Sequence, residues 1–175
     1  SCGRLMRVSE TTDPMTDERI IAAQKTYDAN GNVIQLRIEC ESDRYLTYRF
    51  TAPEGDDSAT AFDVTVAPNK FGQIGQFVRF SVRIDSTQGG FIVADLWSSS
   101  TPDLNEFTYT ADLHDPARAT IERYGVQGIE KPWKTMQLLA EAPSLRFQVP
   151  FRSGENVFSV DQTNANLRSV IDSCL

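Results

Sequence analysis

The chain has a single histidine, His114, set between Asp112 and Asp115. An imidazole beside carboxylates is the smallest arrangement that could relay a proton, but one imidazole cannot hold a zinc ion alone. In a polar stretch that leads into a helix signal, a solvated side chain is the preferred reading. The serines Ser98, Ser99 and Ser100 belong to no GxSxG elbow and no SxxK pair, so nothing marks one of them as an activated nucleophile. Asp17-Glu18 and Asp56-Asp57 are adjacent carboxylates, which point to opposite faces of a strand and so do not share a proton. Glu54, Asp56 and Asp57 offer oxygen ligands, yet they lack the alternating spacing that wraps a loop around Ca²⁺. The expectation is a protein that is not an enzyme and has no metal and no cofactor.

The cysteines carry more. There are three, Cys2, Cys40 and Cys174, and no two have the close spacing of a redox or zinc pair. Cys40 falls on the apolar face of a strongly alternating segment, and Cys174 continues the apolar stripe of a C-terminal helical pattern. Burial of both faces brings the sulfurs into one layer. A bridge closing so long a loop would stabilise the fold by roughly 2 to 4 kcal/mol and would imply an oxidising compartment. The alternative is two buried thiols in a reducing one. Cys2, in Ser1-Cys2-Gly3, is placed as the acylated cysteine of a bacterial lipoprotein would be, or is a tail thiol.

Composition removes other classes. A net charge of -7 with no run of Lys or Arg repels phosphate backbones, so nucleic acid is not an expected partner. No apolar run approaches the length of a membrane span, leaving a lipid on Cys2 as the only expected membrane link. Trp97 and Trp133, with Phe71 and Phe77 near glycines, could line a groove, although core is the commoner fate of such side chains.

The elements that must position these residues are mostly strands. After a polar lead-in over 1–18, closed near Asp13-Pro14, a strand runs from Ile20 to Tyr27 and Asn30-Gly31-Asn32 turns it. Ile34, Leu36, Ile38 and Cys40 then alternate with Gln35, Arg37 and Glu39, the period of a half-buried strand. Leu46, Tyr48 and Phe50 continue the meander. Residues 52–60 are small and acidic and read as an exposed, mobile tip. Further alternation at Phe62, Val64 and Val66, at Val78 to Ile84 paired through Gln88-Gly89-Gly90 with Phe91 to Trp97, and around Phe107 predicts more strands.

Asp115-Pro116 and Gly125 are the start and stop signals of a short middle helix, and residues 134–142 fit either period. Leu145 to Phe151 and Val157 to Val160 form a hairpin. From Asn164 the period becomes helical, with Leu167, Val170, Ile171 and Cys174 on one stripe. The sum is a single domain over 1–175, mainly β. It is an antiparallel sandwich or partly rolled sheet of six to nine strands with a short middle helix and a C-terminal helix.

Several segments together resemble a known family. They are Asp13-Pro14-Met15-Thr16-Asp17, Leu36-Arg37-Ile38-Glu39-Cys40, Val82-Arg83-Ile84-Asp85 and Trp97 with Ser100-Thr101-Pro102-Asp103. The ending Val157-Phe158-Ser159-Val160-Asp161, Asn166-Leu167-Arg168-Ser169-Val170 and Cys174 completes the set. The chain is similar, from about residue 8 onward, to the VasI/TagO-like periplasmic accessory proteins associated with type VI secretion. It departs in the length of its 52–77 segment and in Pro102. The resemblance implies the cysteine pair and no catalytic residues.

The functional expectation is a non-catalytic, exported domain, periplasmic or lipid-tethered in a bacterial cell envelope, that binds a protein partner as an accessory of a secretion apparatus. The competing expectation is an inhibitor or immunity protein that blocks a hydrolase or toxin. Acidic loops carrying Glu54, Asp56, Asp57 and Asp103 are the candidate contact residues for either.

Overall fold

The computed structural model describes residues 6–29, 32–52, 62–68, 72–99, 105–114, 132–152 and 154–175. Its first strands are β1 (Arg7–Thr12), β2 (Arg19–Ala29), β3 (Asn32–Glu41), β4 (Tyr45–Thr51) and β5 (Thr65–Pro68). Then come β6 (Ile74–Asp85), β7 (Phe91–Ser99), β8 (Glu106–Asp112), helix α1 (Pro132–Glu141), β9 (Ser144–Phe151), β10 (Gly154–Asp161) and helix α2 (Ala165–Cys174). All pairings among the described strands are antiparallel. One sheet has the order β1-β2-β3-β4-β8. In the other, β6 pairs with β7 along one side and with β9 and β5 along the other, and β10 flanks β9.

The alternating residues behave as their period demands. On β3, Ile34, Leu36, Ile38 and Cys40 are all buried, and so are Leu46, Tyr48 and Phe50 on β4 and Val78, Phe80, Val82 and Ile84 on β6. These faces meet in one cluster whose centre is aromatic. Phe50 and Phe107 of the first sheet pack against Phe80, Phe147 and Phe158 of the second. Register follows from short turns. Ala29 pairs with Asn32, leaving 30 and 31 as the connection. Ser42 and Asp43 take left-handed backbone while the Arg44 N–H donates to the Glu41 carbonyl at 3.1 Å. Gly89 and Gly90, at φ of 90° and 82°, supply the backbone that the β6–β7 turn needs.

Four expectations change. The lead-in is not irregular throughout, because Arg7–Thr12 forms β1 and pairs with β2 from Arg7↔Gln24 to Thr12↔Arg19. All six of its side chains are exposed, so it is held by backbone bonds and leaves no alternation to read. With β1 and the four-residue β5, the described strands number ten rather than six to nine. Val66 is exposed rather than inward, while Phe62 makes only an isolated bridge to Phe151 yet is fully buried. The ambiguous segment at 134–142 is helix, with Met136, Leu139 and Ala140 buried at helical spacing. The helix expected at 115–125 lies outside the described residues, as does the tip expected at 52–60 apart from Ala52, which is buried rather than exposed and donates its N–H to the Asn105 carbonyl.

Helix α2 lies on the inner face of the first sheet. Asn164 caps it by accepting from the N–H groups of Asn166 and Leu167, and Leu167, Val170, Ile171 and Cys174 are buried. Cys174 and Cys40 form a disulfide with Cα atoms 5.8 Å apart.

A second link is polar. The Gln162 side chain, completely buried, accepts from the Tyr48 hydroxyl at 2.7 Å and donates to the carbonyls of Leu139 and Ala142 at 2.6 and 2.8 Å. It thereby satisfies carbonyls at the end of α1 that have no partner within the helix. Gln162→Leu is expected to lower stability by about 2–3 kcal/mol, since it strands a hydroxyl and two carbonyls away from water. Tyr48→Phe, which strands only the amide oxygen, should cost about 1 kcal/mol in the same urea titration.

A candidate docking face on the second sheet

The outward residues of the second sheet form one surface. On β6 they are Arg79, Ser81, Arg83 and Asp85, which alternate with the inward Val78, Phe80, Val82 and Ile84. The register sets Phe91 opposite Asp85, Val93 opposite Arg83 and Asp95 opposite Ser81 on the β7 side. On the β9 side it sets Arg146 opposite Arg83 and Gln148 opposite Ser81. Two arginines on adjacent strands are therefore direct neighbours.

The charges on this face are unequally engaged. Arg79 pairs with Asp95 at 2.7 Å, and the Ser81 hydroxyl donates to the same carboxylate at 2.6 Å. These bonds, that of Ser81 first, hold the Asp95 carboxyl below its ordinary range. Asp85 is held low by the Ser144 hydroxyl and then by Arg83, whose Nε lies 3.1 Å away. The Arg83 guanidinium also sits 3.8 Å from the centre of the Phe91 ring, within cation–π range. Arg146 is exposed and makes no ion pair among the described residues. Phe91 and Val93 are 54% and 62% exposed beside it.

The outer face of the first sheet is different. There Glu39 bridges Arg37 and Arg49, at 2.7 and 3.3 Å, and Arg49 reaches Glu106 at 2.7 Å, while the Thr47 and Thr110 hydroxyls bond each other. That network satisfies its own charges. The second sheet presents arginine and aromatic surface on which Arg79, Arg83 and Arg146 act on two carboxylates, Asp95 and Asp85, and these are residue types enriched at binding hot spots.

Of the residues singled out from sequence, the structure joins Cys40 to Cys174. Cys2, Glu54, Asp56, Asp57 and Asp103 lie outside the described residues. His114 is exposed, and its contact with Asp112 is through the backbone N–H at 3.0 Å. The Asp112 carboxylate itself accepts from two nitrogens of Arg44. Ser98 and Phe77 are buried. No cluster of three or more His, Cys, Asp or Glu able to hold a metal occurs among the described residues, nor does any helix there have the length and apolarity to cross a membrane.

Arg79, Arg83, Phe91, Val93 and Arg146 were not among the sequence candidates. Alternation assigns the three arginines to outward faces, whereas the unbroken apolar run at Phe91 to Ala94 has no alternation to read, and only strand order shows that β9 brings Arg146 to Arg83. No protein-family model, characterised protein or solved structure matches the chain. What defines it is a two-sheet antiparallel β-sandwich with a helix bridged to its first sheet and an arginine-rich face on its second.

Proposed function

We propose that the chain is an exported, non-catalytic protein-binding domain that docks its partner on the outer face of β6, β7 and β9. The observation that carries this reading is the row Arg79, Arg83 and Arg146 beside exposed Phe91 and Val93, on a chain whose net charge is -7. Arginine and aromatic surface on which three guanidiniums share the carboxylates of Asp85 and Asp95 fits a partner patch bearing further carboxylates. The disulfide supports an oxidising compartment such as the periplasm. The role as accessory of a secretion apparatus rests on the family resemblance, and tethering through a lipid on Cys2 on the sequence at that position. The inhibitor reading depends on Glu54, Asp56, Asp57 and Asp103, and no described contact favours it.

A photo-crosslinking residue at Gln148, compared with one at Thr110 on the opposite face, tests the proposal in intact envelopes. A discrete adduct from 148 is expected, reduced about tenfold or more by Arg83→Glu with Arg146→Glu, as for hot-spot arginines. An absence of adducts from 148, or the same adduct from 110, would refute it.

A further inference from the structure

Beyond the docking face, we infer that the free edge of β7 is a homodimerisation edge, in which two copies pair their β7 strands antiparallel about Ile92. Among the described strands β7 pairs only with β6, so alternate N–H and C=O groups along it face away from the sheet. Its first residues, Phe91, Ile92 and Val93, are 54%, 49% and 62% exposed, although they alternate between the two faces. Phe91 to Ala94 contains no charge, no proline and no lysine gatekeeper of the kind that protects exposed edges. Three successive β-formers on an unprotected edge call for a strand partner.

Self-complementarity identifies the partner as a second copy. Antiparallel pairing about a two-fold axis at Ile92 sets Ile92 against Ile92, Phe91 against Val93, Gly90 against Ala94 and Gly89 against Asp95. Six exposed apolar side chains then meet in matched pairs, the glycines leave room at the ends, and no like charges are opposed. Centring one residue later, on Val93, would set Phe91 against Asp95, so the apolar pattern selects the first register. A two-fold pairing consumes both edges and stops at the dimer. It would also join the β6–β7 sheets of two copies and place their arginine faces side by side.

Sedimentation equilibrium on the whole chain, with Cys2→Ser to remove the unbridged cysteine, tests this. The weight-average mass should climb with concentration from 19.6 kDa towards twice that value, and Val93→Lys should hold it at 19.6 kDa with an unchanged circular-dichroism spectrum. The register is tested by cross-linking. Directly opposed Cα atoms lie about 4.5–5.5 Å apart, within disulfide reach. Ile92→Cys should therefore form an interchain bridge. Val93→Cys, displaced to about 8 Å from its own copy, should not.

The inference is overturned if the chain stays monomeric at its highest soluble concentration, or if Val93→Lys still dimerises. It is also overturned if Val93→Cys cross-links as fast as Ile92→Cys, or if both react no faster than the exposed control Met15→Cys. None of these results bears on the adduct from position 148, so the two proposals fail separately.

Discussion

Phe50→Ala is expected to lower the free energy of unfolding by about 3–5 kcal/mol, the cost of an aromatic truncation that the surroundings cannot fill. Phe50 is completely buried, and its ring lies 4.6 Å from that of Phe107, stacked, and 5.0 and 5.5 Å from those of Phe147 and Phe80. The last two belong to the opposite sheet, so the cavity would open where the two layers meet. Neighbours held in two hydrogen-bonded sheets cannot collapse into that space, which places the effect at the high end for a core residue. Urea unfolding should show the midpoint falling with an unchanged slope. Phe91→Ala removes the same atoms from a ring that is 54% exposed and stacked by Arg83, and should change the stability of the monomeric chain by about 1 kcal/mol or less. If the two variants proved equal, the placement of the core between the sheets would be wrong.

Removing the disulfide is expected to cost about 2–4 kcal/mol. The bridge spans 134 positions, from the end of β3 to the last turn of α2. Its effect arises in the unfolded chain, where it forbids the many arrangements in which those two segments are far apart. In the folded state both sulfurs are buried and α2 remains packed through Leu167, Val170 and Ile171. The variant Cys40→Ala with Cys174→Ala should therefore fold to the same sandwich at lower stability. Alanine is chosen because serine would add buried hydroxyls and confuse the comparison. Urea titrations with and without dithiothreitol give the check. The reductant should bring the parent chain close to the double variant and leave the double variant unmoved. A parent midpoint indifferent to reductant would mean that the sulfurs are not bridged, and with it would go the argument for an oxidising compartment.

The face and the edge respond differently from these core sites. Replacing Arg83, Arg146 or Val93 should move the midpoint of the monomeric chain far less than replacing Phe50 does, because Arg146 and Val93 are exposed and Arg83 gives up only a surface ion pair and a ring contact. Crosslinking and mass measurements read them instead. Stability and binding can therefore be separated by choosing residues from opposite phases of the same strands, such as Val82 and Arg83 on β6.

Much of the sandwich was legible where a strand has one buried and one wet face. Ile34, Leu36, Ile38 and Cys40 declare their orientation by period alone, and so do Val78 to Ile84 and Leu145 to Phe151, because burial on one side selects apolar residues at every second position. The apolar stripe Leu167, Val170, Ile171 and Cys174, following a capping Asn164, is equally direct for α2. Where burial is absent the period vanishes. β1 is exposed on both faces and is specified by pairing to β2, a property of the partner rather than of its own residues. Helix α1 was ambiguous over Met136 to Leu139 because a short apolar run fits both periods, and Gln162, far along the chain, satisfies the carbonyls at its end.

The candidate face shows the same division. The sequence by itself determined that Arg79, Arg83 and Arg146 point outward and that Cys40 and Cys174 point into the core, since the arginines fall between the positions of an apolar repeat and the cysteines fall on them. Only the tertiary structure decided that β9 lies beside β6, making Arg146 the neighbour of Arg83, and that β7 is left at an edge with Phe91, Ile92 and Val93 uncovered. The physical reason is that side-chain period is set by local backbone geometry, whereas strand order is set by which distant hydrogen-bonding edges and apolar faces satisfy one another on collapse.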